Sequence, residues 1–161
     1  MKIDFISDIN SGLTEAMNYG KTDKFVVRAH WYSFAAIAVM TFITSVVKIA
    51  DYYPSPLSWR VISYPEALAV VAIGFLATIV PTLLVGKIKN HYLWRILTTC
   101  TLTAYAYSVV FLSGGAIEMH FVFFIMLTLV TIYSDWRLGW LMLVLVALHH
   151  TILNYLAPAW V

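Results

Sequence analysis

Across 161 residues the chain is 61% hydrophobic and 16% aromatic but only 11% charged, with a formal net charge of +2 and a mean hydropathy of +0.83. That balance excludes an ordinary soluble domain and points to an integral membrane protein, and basic residues that only flank apolar runs give no nucleic-acid-binding surface. The single cysteine, Cys100, excludes a disulfide framework or a cysteine metal cluster within one chain and reads as a small buried residue.

In chain order, residues 1–24 mix acidic side chains with no apolar core, unlike a cleaved signal peptide. Their Ile3, Ile6, Ile9, Leu13 and Met17 recur every three or four positions. This spacing predicts an amphipathic helix on the cytoplasmic membrane face, or a tail that packs on a partner. Residues 25–161 read as a membrane bundle with spans at about 25–47, 64–85, 92–112, 117–133 and 138–156. Pro54 and Pro56 prevent the first span from continuing past Lys48, Pro65 suits the first turn of the second, and Pro81 is placed to kink its far end. The third span, with "TTCTLTAYAYS", is polar enough to belong inside the bundle. Gly114 and Gly115 then reverse the chain, and "SDWR" joins the last two spans, with Asp135 capping the fifth helix and Arg137 reaching headgroups. Such short connections make spans three, four and five antiparallel neighbours.

The fold expected is therefore all-α: a polytopic bundle of five transmembrane helices with a short N-terminal amphipathic helix. With the N-terminus inside, Lys2, Lys21, Lys24, Arg28, Lys87, Lys89, Arg95 and Arg137 fall on the cytoplasmic side and only Lys48 and Arg60 outside. Five spans then place the C-terminus outside. Trp31, Trp59, Trp94, Trp136 and Trp160 lie near span ends, as in an aromatic belt.

Histidines carry the chemistry of interest. His30 and His91 begin the first and third spans, where imidazole is tolerated at the interface, and they form a candidate second site. His120, His149 and His150 are deeper. Folding spans four and five about Trp136 puts His120 16 residues before the turn and His150 14 after it. At about 1.5 Å per residue their heights differ by only about 3 Å, so they can meet in the outer half of the bilayer, with Glu118 closer to the outer surface. Facing imidazoles suit haem b or a transition metal such as copper or zinc, with His120, His149, His150 and Glu118 as candidate ligands. Vicinal His149 and His150 point about 100° apart on a helix, so they do not readily serve one metal together. Two other readings stay open: hydrogen bonds among these histidines, Glu118, Tyr105, Tyr107 and Asn154 that hold the bundle, or a proton-linked or small-ligand sensing site. No phosphate loop, dinucleotide fingerprint, nucleophile elbow or HExxH motif is present, so the chain reads as non-enzymatic.

The stretch "SGGAIEMHFVFFIMLTLVTIYSDWR", 113–137, followed by "LVALHH", 145–150, resembles the membrane-embedded input region of bacterial methyl-accepting chemotaxis proteins and diguanylate cyclases. Those regions carry a glycine pair, I-E-x-H-F, Y-x-D-W-R and A-x-H-H in this order, and His30 also fits. The resemblance implies a sensory module of the bacterial inner membrane that signals to a cytoplasmic output domain, with His120, His149 and His150 holding what is sensed. Two features depart from the pattern: Val122 stands where the second histidine of H-F-H-F-F is expected, and the chain ends after five spans, without a sixth and an output domain. Two functions follow. One is a signal-input module working with a protein partner or as a homo-oligomer in the lipid bilayer. The other is a non-catalytic accessory subunit of a larger membrane complex, respiratory for example, that holds a haem or a metal.

Overall fold

The computed structural model describes residues 19–47 and 62–156, with the side chains of Tyr19, Val47, Ile117, Glu118, Leu153 and Leu156 outside that description. The amphipathic N-terminal stretch, Lys48, the Pro54–Pro56 loop with Trp59 and Arg60, and Trp160 lie outside the described residues. Within them every element is helical: α1 (Tyr19–Phe42) running on as a π-helical turn (Ile43–Val47), α2 (Tyr64–Leu84), α3 (His91–Leu112), a 3-10 turn (Ile117–His120), α4 (Phe121–Thr131) and α5 (Trp136–Leu156). The stretch Gly20–Val46 and helices α2 and α3 are long and apolar enough to cross a membrane; α4 and Trp136–Ile152 of α5 are apolar too.

Helix ends follow from local chemistry. Ser63 and Glu66 form a capping box at the start of α2, where Pro65 occupies the first turn. Asn90 caps α3 by accepting from the amides of Tyr92 (3.0 Å) and Leu93 (3.2 Å). Asp135 accepts from the Arg137 amide at 3.1 Å and so starts α5. At the far end of α3, Gly114 (φ 69°) and Gly115 (φ 81°) adopt left-handed conformations. Their amides donate to Phe111 (3.1 Å) and Val110 (2.9 Å), a Schellman termination. Replacing Gly114 with alanine is expected to cost about 1–2 kcal/mol, because a Cβ disfavours that backbone, whereas Gly86→Asn should be near neutral. Nothing crowds a Cβ at Gly86 (φ 76°), and asparagine tolerates its conformation. Detergent-unfolding curves followed by circular dichroism would read both.

Two boundaries differ from the sequence expectation. Among the described residues, 19–24, assigned in sequence to a separate cytoplasmic segment, are continuous with the helix of the first span. The fourth apolar run is interrupted: residues 117–120 are 3-10 and the α-helix starts at Phe121. Tight turns of this kind are common where a helix restarts directly after a glycine reversal.

α3 is the hub. It packs against α1, α2, α4 and α5, while α1 packs on α2 and α4 on α5. In its most apolar stretch 56% of residues are buried, against 22% for α1 and 33% for α2, which places the polar third span inside. Thr98, Thr101 and Thr103 bond back along the helix to the carbonyls of Trp94, Leu97 and Thr99. α1 and the π-helical turn that continues it turn Val26, His30, Ile37, Thr41 and Thr44 inward, and Gly74 of α2 lets Phe34 approach closely. Much of the outer surface is apolar: Phe121, Phe124, Ile125, Leu143, Val144 and Leu148 are exposed, as lipid-facing side chains are.

Candidate functional site

Two polar clusters occupy opposite ends of α3. The first lies at the glycine-reversal end. His120 closes the 3-10 turn and bonds through Nδ1 to the Ala116 carbonyl at 3.0 Å. A carbonyl only accepts, so Nδ1 carries the hydrogen and Nε2 is left for another partner. Across the α4–α5 hairpin the His150 ring stacks on His120, centroids 5.3 Å apart and planes 15° apart. His149, turned about 100° around α5, stacks on Tyr107 of α3 at 4.1 Å and 7° and meets His150 edge-on at 5.6 Å. Phe123 closes the cluster, 5.7 Å from Tyr107 and 6.2 Å from His120. One continuous set of rings thus joins α3, the start of α4 and α5.

Cavities flank the His149–Tyr107 pair. One of about 340 Å3 lies between α2, α3 and α5, lined by Glu66, Val70, Ala104, Tyr107, Ser108 and His149 among others. A second, of about 320 Å3, adds Leu145, Leu148 and Ile152 to the same pair.

The ring geometry bears on the metal reading. An imidazole holds a metal in its own plane along a nitrogen lone pair, so two nearly parallel stacked rings do not converge on one ion. Among the described residues no group of three histidine, cysteine, aspartate or glutamate side chains is placed to hold a metal. The side chain of Glu118 lies outside the described residues, and Asn154 is exposed.

His30 and His91 are not brought together as a pair. His91 is exposed at the start of α3, next to the cap Asn90. His30, expected at the interface, is fully buried: its Nδ1 bonds to the Val26 carbonyl at 2.7 Å and its Nε2 lies 2.7 Å from the Thr101 hydroxyl. Val26 can only accept, so Nε2 takes the Thr101 hydrogen, and both nitrogens are engaged. Tyr105 meets His30 edge-on at 5.6 Å and hydrogen-bonds Thr78, so it serves this interior cluster and not the deep histidines.

Sequence reasoning did not foresee the second end cluster. Arg95 lies 3.8 Å from the Asp135 carboxylate and 5.6 Å above the Tyr133 ring. Asp23 of α1 faces Trp94, Tyr133, Arg95 and His91. Trp94, expected in an aromatic belt, is buried there. Arg95 and Arg137 had the same signature in sequence, a basic residue beside a span end. Only the three-residue step from Asp135 into Trp136 and Arg137 hinted that a carboxylate would be available to pair.

Fold and site together define an all-helical membrane protein with an aromatic–imidazole cluster at one end and a charged one at the other. No protein-family model, curated protein or solved structure matches the chain significantly.

Proposed function

We propose that the chain is a non-catalytic signal-input module of the bacterial cytoplasmic membrane, with five spans, its N-terminus inside and its C-terminus outside. The observation that carries this reading is the ring cluster His120–His150–His149–Tyr107, two stacked pairs that meet edge-on. Titratable side chains at bilayer depth are costly and serve a purpose there. Here they bridge three helices and border two cavities. The helices they bridge also carry the second cluster: Tyr107 and Arg95 share α3, 12 positions apart, or about 18 Å. His150 and Asp135 are joined through α5 in the same way. A small shift where the rings meet therefore reaches the charged end through rigid elements, as a two-state input requires. The sensed species is a proton or a small polar ligand that rearranges the imidazoles.

The test is hydrogen exchange on the full chain in nanodiscs as pH is lowered from 8 to 5, for wild type and for His120→Ala, His149→Ala and His150→Ala. The expected result is a change in protection around Arg95 and Asp135 in wild type that each substitution abolishes. Protection unchanged with pH in wild type, with variants that assemble normally, would return the histidines to a packing role.

A further inference from the structure

The two helix pairs flanking α3 leave a groove between α1 and α4, away from the histidines. It has a volume of about 410 Å3 and is lined by Phe25, Arg28, Ala29, Tyr32, Ser33 and Leu129. Lys24 and Arg28 lie four residues apart, and Tyr32 four further on, so one stripe of α1 runs from basic to aromatic along the groove. Arg28 sits one turn further along α1 than Lys24, at the height where Leu129 of α4 is one turn from the charged end. None of Arg28, Tyr32 and Ser33 has a hydrogen-bond or ion-pair partner among the described residues. The nearby carboxylates are committed elsewhere: Asp135 to Arg95, and Asp23 to the face holding Trp94 and Tyr133.

The guanidinium of Arg28 is exposed beside the apolar walls with no carboxylate on it among the described residues, so it is open to an anion from elsewhere. The planar fork of arginine matches a phosphodiester, and its long stem lets the head reach the interface while the rest lies in the groove. The hydroxyls of Tyr32 and Ser33 fall one turn deeper, at the level of a lipid's ester oxygens. Phe25, Ala29 and Leu129 offer an acyl chain its walls. We propose that the α1/α4 groove is a binding site for an anionic phospholipid of the leaflet that faces Lys24 and Arg28, its phosphate on Arg28. This site is independent of what the histidines sense.

Native mass spectrometry of the full chain released from vesicles of equal phosphatidylglycerol and phosphatidylcholine tests it. Wild type should carry phosphatidylglycerol preferentially. Arg28→Gln should cut the ratio of the two lipids about fivefold, the effect of one basic residue near an anionic surface, and Arg28→Lys should cut it less. Leu129→Trp, which fills the groove and leaves the charge, should lower the phosphatidylglycerol retained. Millimolar inorganic phosphate should not displace the lipid. An unchanged ratio in Arg28→Gln overturns the proposal, as does displacement by phosphate alone, which would mark a free-anion site. Should Arg28→Gln fail to fold, unchanged phosphatidylglycerol retention in Leu129→Trp overturns it equally.

Discussion

Replacing His30 with alanine is expected to lower the stability of the bundle by about 2–4 kcal/mol, the largest loss for any of the five histidines. His30 is fully buried where α1 meets α3, fills space against Tyr105, and has both ring nitrogens engaged. Truncation opens a void that neither lipid nor water reaches, and the closely packed neighbours relax only in part. The hydrogen bonds account for less. Val26 also lies inside a helix, and the Thr101 hydroxyl has the carbonyls of Leu97 (3.0 Å) and Thr98 (3.1 Å) to turn to. His30→Leu, which keeps most of the volume, should therefore cost only about 1 kcal/mol. Steric-trap or denaturing-detergent unfolding in bicelles would measure both, and equal losses for the two variants would contradict a volume-dominated role.

Arg95→Ala is expected to cost about 2–3 kcal/mol. The Arg95 and Asp135 side chains are only 14% and 17% exposed, so Coulomb attraction is screened less than on an open surface, and removing the cation leaves Asp135 without its ion-pair partner and Asp23 without a neighbouring positive charge. Arg95→Lys should lose about 1 kcal/mol, keeping the charge and giving up the planar contact over Tyr133. Asp135→Asn separates two roles of one residue. Asparagine caps a helix as well as aspartate, so the bond from the Arg137 amide survives and only the ion pair is lost. The same unfolding assay reads these variants. A loss below about 0.5 kcal/mol for Arg95→Ala, the size of an ordinary surface change, would show that the pair contributes nothing to holding α3 against the α4–α5 turn.

Much of the helical layout was legible because lipid leaves a backbone few choices. Apolar runs of span length must be helical to satisfy their own amides and carbonyls, and Pro65, Gly114 and Asp135 mark ends by local chemistry alone. The common height of His120 and His150 followed from helical rise and a short turn. What each residue faces was not legible in the same way. In a soluble helix the buried stripe shows itself as an apolar stripe, but here the lipid-facing side is as apolar as the protein-facing one. Hence His30 and Trp94 read as interfacial residues while the bundle buries both. Arg95 read as one of eight cytoplasmic charges, while its position on α3 directs it to Asp135.

The sequence by itself determined an all-helical chain with helices long and apolar enough to span a membrane, most of its helix ends and the nearness of His120 to His150 along the hairpin, since these depend on hydropathy, capping and rise along one helix. Only the tertiary structure decided the rotation of each helix about its axis. That rotation stacks His150 on His120 and His149 on Tyr107, encloses His30 and sets Arg28 in a groove. These outcomes rest on close packing between helices far apart in sequence, which no local pattern of residues encodes.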